Sequence, residues 1–202
     1  VDGKLVALPF TADSMFLYYR KDLLAKYNLP VPKTWDELAT VAKTVQKGEG
    51  KPDLQGLSFQ GAPIEGTVCT FLLPYWSQGK AIQKTNGHIE LEKSAAVKGL
   101  NSWLSLVEKG VSKKNMAEVK TGDTVNEFKA GQVLFGINWG FAWSKFQNDA
   151  DSKVKDQIGV AQLPALKGGE SVSCAGGWQW GISAYSKHKA DSVKLARYLS
   201  QP

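Results

Sequence analysis

The chain has 202 residues, 43% of them hydrophobic and 22% charged, which leaves room for one domain or two small ones and excludes disordered and fibrous classes. Its net charge is +6, from 25 basic and 19 acidic residues, but the lysines are scattered and their tightest run is Ser112-Lys113-Lys114-Asn115. That spread excludes a basic nucleic-acid-binding arm, and no stretch approaches the ~18 apolar residues of a membrane span.

In chain order, Lys4 to Leu8 is apolar and ends at Pro9, so it reads as a short buried strand. Ser14 to Tyr19 is a second strand, rich in aromatics. Lys21 to Tyr27 is a short helix. A longer helix opens at Thr34, with Glu37 three residues on as a capping box, Leu38, Val41, Ala42 and Val45 as its apolar face, and Gly48 and Gly50 at its end. Leu57 to Phe59 is a brief strand before a loop. Thr67 to Gln78 is a buried helix that contains Pro74.

His88 to Leu91 is a strand. Ser94 to Glu108 carries Val97, Leu100, Trp103, Leu104 and Val107 at helical spacing and stops at Gly110. A helix over Thr124 to Lys129, a strand over Gln132 to Asn138 and a helix from Ala142 to Phe146 follow. The chain closes with strands at Ile158 to Leu163 and Trp180 to Ser183 and a helix over Ala190 to Leu199. Strands and helices alternate throughout, which predicts an α/β class with helix-covered sheets. A strand in progress at the start, a helix end at the close and no signal-like segment give the expectation of an excised interior piece.

Catalytic motifs are missing. His88 and His188 are isolated in sequence and read as surface histidines, and no Gly-x-Ser-x-Gly, His-x-x-x-His or phosphate-loop pattern occurs. No cofactor and no metal are expected. Cys69 lies in the apolar run Thr67 to Leu73 and reads as a small buried side chain, with a bridge to Cys174 as the alternative. Asp13 and Glu65 both read as loop carboxylates after apolar strands. Such a pair serves a glycosidase, but ionised carboxylates also bind sugar hydroxyls without reaction.

The aromatic content separates these readings better. Seven tryptophans occur, several beside glycine, as in Trp139-Gly140-Phe141 and Gly176-Gly177-Trp178. A sugar ring has an apolar C–H face and a belt of hydroxyls, so its site combines flat aromatic platforms with carboxylates and amides. Trp35, Trp103 and Trp143 read as core. Trp178, next to Gly177, reads as a site residue, because glycine lets a ligand approach the backbone. Trp139 and Phe141 stay open between the two roles.

Three segments, Gly3 to Phe10, Tyr18 to Leu24 and Pro32 to Leu38, in that order and spacing, resemble the family 1 extracellular solute-binding proteins of ABC importers. Phe59-Gln60-Gly61, Glu65-Gly66, Cys69 and Asn138 to Trp143 are similar to the trehalose/maltose-binding branch, from which the chain departs at Ile64, Gly140 and Phe141. The resemblance implies a periplasmic-binding-protein-like (class II) two-lobe fold. Residues 1–11 would be the hinge strand and edge of the first lobe, 12–158 most of the second lobe, and 159–202 a return to the first.

It also implies a binder, not an enzyme, that holds an α-glucosyl disaccharide such as trehalose or maltose in an interlobe cleft. Asp13, Glu65, Trp139, Phe141, Gly177 and Trp178 would form the site: Asp13 accepting hydroxyl hydrogen bonds, Phe141 and Trp178 stacking on glucosyl faces, Trp139 lining the wall. The implied partners are the sugar and the transmembrane permease subunits, with no nucleic acid. The implied location is periplasmic or extracellular, lipid-anchored in a Gram-positive cell. The rivals are a binding protein for a glycerophosphodiester or polyamine, and a glycoside hydrolase using Asp13 and Glu65.

Overall fold

The computed structural model describes residues 3–201. Its elements in chain order are β1 (Leu8–Arg20), α1 (Lys21–Lys26), α2 (Trp35–Glu49), β2 (Gln55–Ser58), α3 (Glu65–Trp76), β3 (Gln83–Thr85), β4 (His88–Glu90), α4 (Lys93–Glu108), α5 (Thr121–Lys129), β5 (Val133–Trp139), α6 (Ala142–Asn148), β6 (Ile158–Ala161), β7 (Ala175–Trp180) and α7 (Lys189–Leu199). The mixed α/β class expected from the alternation is the class observed. The chain divides into a larger unit, Met15–Cys174, and a smaller one made of Val1–Ser14 and Ala175–Pro202. Residues 159–174, assigned above to the returning segment, lie in the larger unit, because β6 pairs with β1 from Leu17↔Ala161 to Arg20↔Ile158.

In the larger unit the second half of β1 lies between β5 and β6, antiparallel to both, and β2 runs parallel to β5. Side chains alternate across a strand, and neighbouring Leu17 and Tyr18 accordingly enter separate apolar clusters. One cluster packs Leu17, Leu57, Phe135 and Ile137 with the buried face of α2 (Leu38, Val41, Ala42, Val45). The other centres on Phe128, whose ring lies 6.3 Å from Tyr18 and 4.7 Å from Phe146, with Tyr18 and Phe146 edge-on at 5.0 Å. Aromatic pairs of this geometry contribute about 0.5–1.5 kcal/mol each beyond their buried area.

The capping box forms as the sequence dictates. The Glu37 N–H donates to Thr34 Oγ1 at 3.2 Å, and the Thr34 N–H donates to Glu37 Oε2 at 3.3 Å. Gly50 ends α2 in the left-handed region, at φ 60°, where a side chain would be strained.

Several expectations need correction. Lys4 to Ala7 form no strand and Leu5 is 82% exposed. The strand starts at Leu8 and passes through Pro9, because the register with β7 shifts between Pro9 and Thr11 and a bulge tolerates a residue without an N–H. The strand placed at Trp180 to Ser183 is instead β7, ending at Trp180, since Ala175 to Trp180 have β1 as a pairing partner. Asp13 is therefore a strand residue, and Glu65 is the first residue of α3; neither lies in a loop. On α4 only part of the apolar stripe is covered: Trp103 is buried against Trp35 and Phe59, whereas Val97, Leu100 and Leu104 are exposed. The hairpin partner β3 is polar, Gln83-Lys84-Thr85, and gave no apolar signal.

Candidate functional site

In the smaller unit, β1 and β7 bring three of the six expected residues together. Thr11 pairs with Trp178, Ala12 with Gly177 and Asp13 with Gly176. Paired residues of an antiparallel ladder share a face, and residues two apart along a strand share it too. Asp13 and Trp178 thus stand on one face as diagonal neighbours, with only a glycine opposite the carboxylate. Asp13 Oδ1 accepts the Ser14 N–H at 2.7 Å, which orients the carboxyl group, and the Trp178 N–H donates to Thr11 Oγ1 at 3.3 Å. The Trp178 ring is 74% exposed. At Gly177 a Cβ would collide with the Thr11 carbonyl oxygen, and its φ of 154° is one that side chains rarely adopt. Glycine here lets the two strands approach.

In the larger unit, Trp139 is the last residue of β5 and Phe141 the residue before α6. Glu65 opens α3, seven positions after the last residue of β2. Because β2 and β5 are parallel, both positions lie off the carboxyl ends of these strands, where open α/β sheets bind ligands. A buried polar set holds Trp139: its N–H donates to Asn138 Oδ1 at 2.8 Å, Asn138 Nδ2 donates to Thr124 Oγ1 at 2.7 Å, and Tyr18 Oη donates to the Trp139 carbonyl at 2.8 Å. The sequence reading missed Asn138 and Tyr18 as positioning residues. The available signal was a polar residue closing an otherwise apolar strand.

Glu65 Oε1 accepts from Cys69 Sγ at 3.2 Å, one helical turn on, and Cys69 in turn meets Cys174. Cys174 reaches back to β1, where its carbonyl accepts the Met15 N–H at 3.3 Å, and Met15 pairs with Trp139. One line of contacts therefore connects Glu65 to Trp139 within the unit. Phe141 is 46% exposed and offers an open ring. Trp143, expected in the core, is 41% exposed, because Ala142 and Phe146 supply the buried face of α6.

Glu65, Phe141, Gly177 and Trp178 are exposed, whereas Asp13 and Trp139 are half-buried, Trp139 against the larger apolar cluster. A hollow of about 740 Å³ in the larger unit is lined by Trp76, Lys80, Glu92, Lys98, Lys167 and Glu170, and includes none of them. Among the described residues no group of three or more His, Cys, Asp and Glu could hold a metal ion, and no helix is long and apolar enough to cross a membrane. His88 and His188 are both exposed.

The profile of one family, described as bacterial extracellular solute-binding protein, matches residues 1–202. A probable ABC transporter-binding protein of Deinococcus radiodurans is 39% identical over 210 residues, covering 99% of this chain and 48% of that protein. A multiple sugar-binding protein of Streptococcus mutans is 23% identical, with 99% and 48% covered. The chain thus spans about half the length of the curated relatives it matches. Among solved structures, maltose-bound MalE3 of T. maritima is similar at a TM-score of 0.91 and 36% identity, over 100% of this chain and 51% of that one. A solute-binding protein of Agrobacterium radiobacter K84 in complex with ribitol is similar at a TM-score of 0.85 and 25% identity, over 99% and 50%.

Proposed function

The chain belongs to the bacterial extracellular solute-binding protein family, and from that premise we propose that it is part of the substrate-binding component of an ABC sugar importer, with an α-glucosyl disaccharide such as maltose or trehalose as ligand. The observation that carries this reading is the shared face of Asp13 and Trp178 across β1 and β7. A carboxylate that accepts hydroxyl hydrogen bonds, beside an open indole that covers a C–H face, answers the two chemistries of a sugar ring. In the larger unit Trp139, Phe141 and Glu65 would add rings and a carboxylate of the same two chemistries. The maltose and ribitol bound in the two similar structures support a sugar or polyol class.

The domain assignment that goes with this proposal gives the smaller unit to one lobe of the whole protein and the larger unit to the other. Binding needs no chemical step. A ligand with higher affinity for one conformation of the whole protein shifts the population toward it, and that conformation is the signal the permease reads. The location is periplasmic or extracellular.

The test is calorimetry on the full-length protein that contains this chain. Maltose or trehalose should bind, while glycerophosphodiesters and polyamines should not. Binding of a polyamine with no response to any sugar or polyol would refute the proposal, and release of glucose from either disaccharide would replace binding by hydrolysis.

A further inference from the structure

Cys69 and Cys174 are 105 positions apart in the chain, yet their sulfurs lie 2.6 Å from each other in the buried interior of the larger unit. Cys69 lies in the second turn of α3, and Cys174 lies directly before β7, where the chain leaves the larger unit. Neither position is loose. Cys174 is tied through its carbonyl to the Met15 N–H at 3.3 Å, and Ser173 beside it is tied to Met15 twice: its hydroxyl donates to the Met15 carbonyl at 2.7 Å and accepts the Met15 N–H at 3.0 Å. Cys69 is fixed by α3, whose neighbouring Thr70 Oγ1 donates to the Gly66 carbonyl at 2.9 Å. Two thiols from distant segments, held in contact by hydrogen-bonded backbone on one side and a helix on the other, have the juxtaposition that a disulfide needs.

We propose that Cys69 and Cys174 are a redox modification site that closes to a disulfide, fastening α3 to the segment that leads into β7. The reaction breaks both S–H bonds and forms one S–S bond. Two electrons and two protons pass to a small-molecule or protein disulfide, which leaves as two thiols. The family is extracellular by description, and disulfides form and persist in such oxidising compartments. Burial, the hydrogen bond from Cys174 and the neighbouring Glu65 carboxylate all push the Cys69 thiol up from its ordinary range. The folded dithiol therefore exchanges slowly, and the bond forms fastest before the core closes.

Closure also changes Glu65. The Cys69 S–H now donates to Glu65 Oε1 at 3.2 Å, and a disulfide has no hydrogen to give. The carboxylate loses that donor and becomes available to others. This consequence rests on the reading of Glu65 as a ligand residue; the disulfide itself does not.

The experiment unfolds the full-length protein in reductant and refolds it in a buffer of oxidised and reduced glutathione, so that the bond can form before the core closes; the product is then denatured, alkylated without reductant and digested. The peptides carrying Cys69 and Cys174 should be recovered joined. Recovery of both as separately alkylated peptides, or each as a glutathione adduct, would overturn the proposal. Heat unfolding gives the second readout. A bond closing a loop of this length should raise the midpoint of the full-length protein by roughly 5 °C over the reduced form, and the Cys69→Ala/Cys174→Ala variant should lack that reductant-dependent change. An unchanged wild-type midpoint would overturn the fastening role. Sugar affinity of the oxidised and reduced forms is then compared: a difference supports release of Glu65, and equality refutes that consequence while leaving the peptide result standing.

Discussion

Asp13 and Trp178 project from the same face of the β1–β7 ladder as diagonal neighbours, with Gly176 directly opposite Asp13. The indole is open to solvent and supports no core, so removing it should leave the fold intact while stripping the apolar platform from the surface. Trp178→Ala should weaken disaccharide binding to the full-length protein at least tenfold, about 1.4 kcal/mol or more. Its unfolding midpoint should stay close to wild type, as for most surface substitutions. Titration calorimetry with differential scanning checks both halves. Unchanged affinity would remove Trp178 from the site.

The carboxylate makes a separable prediction. Asp13→Asn keeps the shape and a carbonyl that can still accept the Ser14 N–H, but replaces a charged acceptor by a neutral one. Charge-assisted hydrogen bonds are roughly twice as strong as neutral ones. A loss of about tenfold in sugar affinity is expected for one such bond weakened by ~1.5 kcal/mol, with near-constant stability. An affinity unchanged in calorimetry would assign Asp13 to strand geometry alone.

Much of this architecture was legible in the chain because short-range chemistry encodes it. The Thr34 and Glu37 pair formed the capping box its spacing required, and Leu38, Val41, Ala42 and Val45 all face the core. What was not legible depended on pairing at long range. Nothing local in Gly176-Gly177-Trp178 says strand; it becomes one because Thr11 to Asp13, more than 160 residues earlier, lie alongside it. The α4 stripe was misread for a similar reason. Val97, Leu100 and Trp103 have equivalent spacing, but of the three only Trp103 is buried, against Trp35 and Phe59. For the candidate site, Asp13, Gly177 and Trp178 share one ladder only through that long-range pairing, while of the groups that hold Trp139 in place Asn138 showed itself only as a polar residue near the end of an apolar strand and Tyr18 not at all.

The cap itself can be measured. Thr34→Ala removes the acceptor for the Glu37 N–H and leaves Glu37 with the Thr34 and Lys33 N–H groups, the latter at 2.8 Å. Half of the box is lost, which costs about 1 kcal/mol. The unfolding midpoint should fall by roughly 2–4 °C for a chain of this size. Thr34→Ser retains the hydroxyl and should restore most of the difference.

Acid should act through Glu49. Its carboxylate accepts from Lys26 Nζ at 2.6 Å and Tyr27 Oη at 3.0 Å, with Lys51 Nζ at 3.4 Å from its second oxygen. The Lys26 hydrogen bond is the chief cause that lowers its pKa from 4.5 to about 2; burial opposes the shift, and Tyr27 and Lys51 add to it. A carboxyl group with a lower pKa folded than unfolded binds fewer protons in the native state. Its stabilisation is fully present above about 4.5 and is lost as pH falls toward about 2. Glu49→Gln should therefore flatten part of the decline in midpoint between pH 4.5 and 2 and should lower stability at pH 7. Parallel curves for both proteins would show that other carboxylates govern the acid limb.

Gly177 should separate the two roles that Trp178 keeps apart. A methyl group at this position meets the Thr11 carbonyl oxygen, which belongs to the backbone and cannot swing aside. Relief requires the β1–β7 ladder to open where it positions both Asp13 and Trp178. Gly177→Ala should therefore lower sugar affinity and the unfolding midpoint together, unlike Trp178→Ala, which should lower affinity alone. Backbone strain of this kind costs about 1–3 kcal/mol. Amide hydrogen exchange gives the direct readout: the Trp178 N–H, now donating to Thr11 Oγ1, should exchange faster in the Gly177→Ala protein. Wild-type protection at Trp178 in that variant would mean the ladder accommodates a side chain at 177, and the glycine would then be there for the ligand and not for the strands.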